Sequence, residues 1–397
     1  MNFPSDSFVP TDHTIHLDLP HRIRFTRGAF DASNPTLADI LDVRDEPVQP
    51  KLWVVVDQGV VESTPELQRD LESYVAHHAD WLPRLVGFRA MPGGEQIKND
   101  LSLLESLLGE MNRLGIDRRS TVLAIGGGAL LDMVGFAAAV THRGIRLVRM
   151  PTTTLAQGDS GVGVKNGVNM FGKKNFIGTF AVPHAVVNDL ALLDTLSDRD
   201  WRCGLAEAVK VALLKDADFY TLLRDHADDL TCRSTPLSDE VWQRSAQLHL
   251  QHITASKADG GGGDPFENLS ARPLDFGHWS AHKLEQLTGY ELRHGEAVAI
   301  GLALDVTYAA HTDLLALETA TEIKATLNRM GFALSHPELS NPSLLDGLND
   351  FREHLGGQLT VTMIRGVADP IDLHEIDTAV MQRCIDELLS AGQPAPR

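Results

Sequence analysis

Three histidines, His278, His282 and His294, stand close together in the stretch RPLDFGHWSAHKLEQLTGYELRHGE, residues 272–296. From Gly277 to Leu287 the chain has helical spacing, and Gly289 is placed to end the helix. His278 and His282 then share one helical face, and His294 returns across a short loop toward the same side. Neutral imidazoles converging in this way suit a divalent cation, completed by a carboxylate. The same spacing also fits two solvated or hydrogen-bonded histidines on a helix surface. A candidate carboxylate lies in Gly204–Leu213 (GLAEAVKVAL), where Glu207 and Lys210 are one turn apart. An ion pair on a solvated face is one reading of that pair. The apolar neighbours on both sides point instead to a cleft, with Glu207 completing a Glu-His-His set that leaves a coordination position open.

Two further stretches could hold phosphate. Gly126-Gly127-Gly128 follows an apolar strand and opens a helix, where bare backbone amides can approach a diphosphate. It is not a G-x-G-x-x-G fingerprint, and a plain tight turn would have the same composition. Asp132, one turn into that helix, is within reach of a cofactor amide. Pro151–Asn175 (PTTTLAQGDSGVGVKNGVNMFGKKN) is rich in glycine, hydroxyls and amides, with Lys165, Lys173 and Lys174 against the single acid Asp159. It reads as a long loop, either solvated or wrapped around an anion.

The positioning elements follow from periodicity. Strands are expected at Ile23–Phe25, Leu52–Asp57, Leu85–Phe88, Thr121–Ile125, Ile145–Met150 and Val186–Asn188. Helical spacing between the early strands predicts a mostly parallel sheet with helices on both faces. Beyond a boundary near Asp194–Asp198, helices are expected at Arg199–Leu230, Asp239–Ser256, His278–Leu287, Glu296–Ala310 and Leu317–Met330. This divides the chain into residues 1–195 and 196–397. Asp259–Ser270 reads as a glycine-rich polar loop and Ser390–Arg397 as a frayed tail.

Bulk properties narrow the function classes. A net charge of -19 argues against nucleic acid or an anionic membrane as partner. Three widely spaced cysteines, Cys203, Cys232 and Cys384, do not make a disulfide framework and fit a reducing cytoplasm. Cys203 lies one turn before Glu207 and reads as a buried, inert thiol. The N-terminus shows no signal-peptide pattern, and no apolar run reaches membrane-spanning length.

From Leu52 to Ile376 the chain resembles the 3-dehydroquinate synthase family of sugar-phosphate cyclases. The stretches AIGGGALLDMVGF, RGIRLVRMPTTTLAQGDSGVGVKNGVN, KKNFIGTF, GLAEAVK, GHWSAH and HGEAVAIG occur in that family's order. The resemblance implies an α/β Rossmann-like NAD-binding domain facing a mainly α-helical metal-binding domain, in a homodimeric enzyme. It implies metal ligands Glu207, His278 and His294, with zinc or cobalt as the ion, and His282 as a polar catalytic group rather than a ligand. Asp159, Lys165, Lys210, Lys257, Lys174 and Asn175 match positions around substrate and nicotinamide. Asp57, Glu95, Lys98, Gly127, Gly128, Asp132, Thr152, Thr153 and Thr195 match cofactor contacts. Arg143 matches an arginine that reaches the substrate phosphate, beside Lys165 and Asn175, from the partner subunit. The implied reaction is transient oxidation of a hydroxyl by NAD, phosphate elimination, return of the hydride, and an internal aldol closure.

The chain departs from dehydroquinate synthases where their substrate carboxylate is held. An arginine seven residues before His278 and an asparagine three before are replaced by Ala271 and Asp275, and Arg272 is one residue out of register. A lysine-rich pair expected near the C-terminal strands is replaced by Arg352-Glu353-His354. Losing cations and gaining an acid disfavours a carboxylate-bearing substrate. Asp275 resembles the cyclases that close sedoheptulose 7-phosphate to valiolone-type cyclitols, which is the substrate expected here. Dehydroquinate synthase itself is the runner-up, and a metal- and NAD-dependent polyol dehydrogenase the more distant alternative.

Overall fold

The computed structural model describes residues 12–15, 17–234, 236–254, 263, 274–354 and 358–392, with the backbone alone at 353 and 354. The strands are β1 (Ile23–Thr26), β2 (Lys51–Asp57), β3 (Arg84–Met91), β4 (Thr121–Gly126), β5 (Arg146–Pro151), β6 (Lys165–Met170), β7 (Lys173–Phe180), β8 (Ala185–Asp189), β9 (Val361–Gly366) and β10 (Asp369–Leu373). Six of them form one parallel sheet in the order β1-β8-β5-β4-β2-β3. Both faces of that sheet are covered, which is why its central strands are continuous apolar runs. Along β2, Leu52, Val54 and Val56 enter one core with Leu37 and Leu71, whereas Trp53 and Val55 enter the other with Leu107 and Val134. The period of two thus feeds helices Thr36–Leu41 and Leu67–His77 on one face, and Leu101–Leu114 and Gly128–Val140 on the other.

Strand order reverses between β2 and β4. The C-terminal ends of these strands, Asp57 and Gly126, therefore flank a crevice of the kind where open parallel sheets bind ligands.

The second half is helical around one large core. Its centre is the His294–His311 helix, whose residues from Ala297 to Ala309 are all buried, so it carries apolar groups all round. The Arg199–Leu230 segment is not the one helix expected. It divides into Asp198–Lys215, Ala217–Asp225 and Ala227–Thr231. Asp216, with φ -155°, leaves the helical region and caps the next helix by accepting from the Phe219 amide. β9 and β10 add an antiparallel ribbon. The last helix, Thr378–Ala391, includes Ser390; residues 393–397 of the expected tail lie outside the described residues. The expected loop at 259–270 lies outside the described residues, apart from the isolated Gly263.

The expected loop Pro151–Asn175 is also corrected. It contains a wide helical turn at Ala156–Ser160 and then an antiparallel hairpin, β6 with β7, in register Lys165↔Phe180 and Val168↔Ile177. Its two-residue turn is Phe171-Gly172, with φ of 55° and 72°, the left-handed pair that a tight hairpin needs. The glycines and lysines obscured a strand that is buried from Asn166 to Asn169. Arg149 of β5 staples this segment to the sheet. Its fully buried guanidinium donates to the carbonyls of Gly161, Gly163 and Lys165 and to Asn166 Oδ1, at 2.7–3.2 Å, with no carboxylate partner among the described residues.

Arg149→Met would leave those acceptors without donors in a dry interior. Urea unfolding should report a loss of about 2–4 kcal/mol. A loss below about 0.5 kcal/mol, the size of an ordinary surface change, would show that the staple carries little.

Candidate active site

Glu207 comes from the middle of the Asp198–Lys215 helix, and His278 and His294 are each the first residue of their own helix. Their ligand atoms all lie within 4.8 Å of one another. Close backbone contact makes this possible. A Cβ on Gly295 would sit 2.3 Å from the Cys203 carbonyl, and one on Gly301 would sit 2.0 Å from the Gly277 carbonyl. Only glycine lets these helices touch, which explains the glycines in HGEAVAIG. Asp305, from the buried helix, accepts from the Gly277 amide and from Trp279 Nε1, both at 2.9 Å, and so fixes the start of the His278 helix.

Hydrogen bonds set both imidazoles for coordination. His278 Nδ1 donates to the Phe276 carbonyl at 3.0 Å, leaving the Nε2 lone pair toward Glu207 Oε1, 3.4 Å away. His294 Nδ1 bonds Glu285 Oε2 at 3.1 Å, and its Nε2 is 3.1 Å from the same Glu207 oxygen. Ligating histidines anchored through their second nitrogen are the usual arrangement of metal sites. The donor set, one buried carboxylate and two oriented imidazoles, fits zinc or cobalt with a position left open. Electrostatics agree that positive charge belongs here. Burial opposes ionisation of Glu207, but Lys210 and His278 hold its carboxyl well below the usual range. Burial likewise disfavours a charged His294, yet Glu285 and Glu207 push its pKa up to about 9.

His282, Glu285 and His294 form a second possible ligand group. It is the weaker one, because Glu285 takes His294 through Nδ1, whereas both His278 and His294 turn Nε2 toward Glu207. His282 is kept neutral by burial and by the charge of Lys174. Glu285 is absent from the sequence-derived candidates. Its spacing of three from His282 and seven from His278 on one helical face is the signal that could have found it.

A cleft of about 1630 Å³ opens beside this cluster. Asp57, Glu95, Lys98, Gly127, Gly128, Asp132, Thr152, Thr153 and Thr195 line it from the sheet side. Asp159, Lys165, Lys174, Asn175, Lys210, Asp275, His278, His282 and His294 line the rest. The volume is large enough for a dinucleotide together with a second small molecule. The crevice is shaped for close backbone approach: a Cβ on Gly128 would meet Ser160 Oγ at 2.7 Å, and that hydroxyl is buried without a hydrogen-bond partner among the described residues. Glu95 Oε1 is likewise buried without a hydrogen bond, 3.6 and 3.7 Å from the ammonium groups of Lys98 and Lys174. The residues present fit a nicotinamide dinucleotide, with amides for its diphosphate and acceptors for its hydroxyls.

Glu207 is 2% exposed, with Lys210 Nζ at 2.5 Å from one oxygen and the cleft-lining His278 and His294 converging on the other. The Glu207–Lys210 pair does form, but between two buried groups rather than on a solvated face. Lys98 pairs with Asp132 at 2.6 Å and bonds Asn175, so these expected cofactor and substrate positions are already organised around one another. Arg143, in a turn with φ 66°, is not on the wall of this chain's cleft. Lys257, Ala271 and Arg272 lie outside the described residues. Cys203 is buried and its thiol is pushed up to about 12, as an inert group would be. No helix among the described residues is long and apolar enough to cross a membrane.

Comparison with known proteins agrees with this architecture. The 3-dehydroquinate synthase N-terminal pattern matches residues 89–203, and the C-terminal pattern matches 204–350. The chain is 32% identical to the 2-epi-5-epi-valiolone synthase of Streptomyces glaucescens, over 94% of this chain and 92% of that one. It is 33% identical to the 3-dehydroquinate synthase of Acidithiobacillus ferrooxidans, over 76% and 81% respectively. The structure superposes with a TM-score of 0.85, at 28% identity, on the 2-epi-5-epi-valiolone synthase of Streptomyces hygroscopicus subsp. jinggangensis, solved with NAD+ and Zn2+ bound. That match covers 95% of this chain and 99% of the other.

Asp305 makes the scaffold of the site sensitive to pH. Burial raises its pKa from 3.8 to about 7, against the hydrogen bonds from Trp279 and Gly277. Because the folded state binds this proton more tightly, the contribution to stability is full below about pH 4 and is lost as pH rises through about 7. Asp305→Asn cannot titrate, so its stability relative to wild type should rise by on the order of 3 kcal/mol between pH 5 and 8. Urea unfolding of both proteins at the two pH values measures this. A constant difference would contradict it.

Proposed function

This chain belongs to the 3-dehydroquinate synthase family, and on that premise we propose that it is an NAD- and divalent-metal-dependent sugar-phosphate cyclase acting on sedoheptulose 7-phosphate. The product would be an epi-valiolone, formed with release of phosphate. The observation that carries the substrate choice is Asp275. Its carboxylate lies on the cleft wall and within electrostatic reach of Lys210. An added negative charge there repels a substrate carboxylate and suits hydroxyl groups, which a carboxylate accepts from. The near full-length match to a valiolone synthase supports the same choice.

Glu207, His278 and His294 would hold the metal, and the crevice at Gly127-Gly128, Thr152 and Thr153 would hold NAD. When bound, the dinucleotide supplies reversible hydride transfer and the metal supplies Lewis acidity. The chain's own groups do the rest. Lys210, kept protonated by Asp159 and Glu207 despite its burial, offers a fixed cation at the floor of the cleft. Lys165 and Asn175 would take the phosphate, joined from a second subunit of a homodimer by Arg143, which this chain's cleft does not use. Neutral His282 can donate or accept a proton beside them. Asp159 and Asp275 would orient substrate hydroxyls, with Lys257 as an additional cation.

Purified enzyme with NAD and zinc or cobalt should release phosphate from sedoheptulose 7-phosphate. Release only from the seven-carbon acid phosphate used by dehydroquinate synthases would overturn the substrate choice. Net NADH formation from an unphosphorylated polyol would replace the cyclase reading altogether. His278→Ala should lose bound metal and turnover together, with metal content read by elemental analysis. Full metal occupancy in that variant would remove His278 from the ligand set.

A further inference from the structure

His249 is on the cleft wall, yet none of the roles above uses it. It projects from the Leu237–Thr254 helix, 14% exposed, with Nδ1 at 2.7 Å from Asp159 Oδ1. Burial alone would favour a neutral Asp159, but the charge of Lys210 and the hydrogen bond from His249 hold it down to about 2, so its carboxylate can only accept. The imidazole must therefore donate through Nδ1, and in the neutral ring Nε2 is left with a lone pair. Among the described residues the ring's hydrogen bond is the one that Nδ1 makes to Asp159.

Gly163 stands opposite Nε2. A Cβ on Gly163 would lie 3.6 Å from it, so a longer side chain at that position would close over the ring. The ring is also held still. Ser245, one turn earlier, donates to the Gly158 carbonyl at 3.4 Å, tying the helix to the turn that carries Asp159. On the far side of that turn Arg149 grips Gly161 and Gly163. An imidazole on the wall of a polar cleft, with one nitrogen anchored, has its second nitrogen left to meet a donor.

We infer that His249 contacts substrate directly, its Nε2 accepting a hydrogen bond from a hydroxyl of the polyhydroxylated sugar phosphate in the cleft, beside Asp159. The residue then helps to set specificity for a chain with a hydroxyl at that point. The inference rests on the cyclase reading, and its test separates the two.

The probe is the phosphonate analogue of sedoheptulose 7-phosphate, which cannot release phosphate, titrated calorimetrically into enzyme loaded with NAD and zinc. His249→Asn keeps an N–H where Nδ1 stood, so Asp159 remains held, but it has nothing at the Nε2 position. His249→Leu removes both. Loss of one substrate hydrogen bond should weaken binding to His249→Asn by about tenfold, with NAD and zinc content unchanged. Equal affinity of His249→Asn and wild type overturns the contact, and weakening confined to His249→Leu would reduce His249 to a positioning residue for Asp159. Both outcomes are read whether or not wild type releases phosphate in the turnover assay, where failure would count against the cyclase reading alone.

Discussion

The buried carboxylate of Glu207 is the constraint around which the molecule is arranged. An isolated ionised carboxylate in a dry interior is costly, and partners on every side must offset it. Lys210 lies against one oxygen, and His278 and His294 converge on the other. Each partner brings its own counter-group. Asp159 stands 4.0 Å from Lys210, Glu285 holds His294, and Lys174 holds Glu285. Beyond these, Glu95 and Lys98 lead to Asp132. Charges of alternating sign thus run from the helical half to the helix behind the glycine turn. No single member can be removed without leaving a neighbour uncompensated.

This alternation reconciles an acidic protein with an anionic substrate. The net charge of -19 repels anions at long range, but within the cleft Lys165, Lys174 and Lys210 act over distances too short for the outer field to matter. The histidine tautomers follow from the same network. The Phe276 carbonyl and Glu285 each engage an Nδ1, so both Nε2 atoms face Glu207. A site prepared in this way needs little rearrangement to accept a cation, which is the advantage of building it on three packed helices rather than on loops.

Much of the scaffold was legible in advance because the signals were local. Strands such as Leu52–Asp57 declare themselves by apolar runs, and the Gly277–Leu287 helix by its spacing and its terminal glycine. Local signals misled where composition and geometry part company. The hairpin at 165–180 was hidden by glycine and lysine, and its turn depends on a phenylalanine held at positive φ. Asp216 looks like one polar residue in a long helix, but it ends that helix by capping the next. Glu285 and His249 were missed because their partners are remote or on another element. Asp159 is 90 residues from His249, and Lys174 is 111 from Glu285.

The sequence by itself determined the chemistry available: which residues can bind a cation, where glycine allows a phosphate near the backbone, and a parallel sheet followed by a helical half. These follow from side-chain type and short-range periodicity, which one strand of text contains. Only the tertiary structure decided which oxygen of Glu207 the histidines share, that the Glu207–Lys210 pair is buried, and that His249 meets Asp159 on the cleft wall. Those outcomes depend on helices brought into backbone contact at Gly295 and Gly301, and on the loss of solvent that turns modest charge pairs into strong ones. Neither packing nor dielectric is a property of residues taken in order.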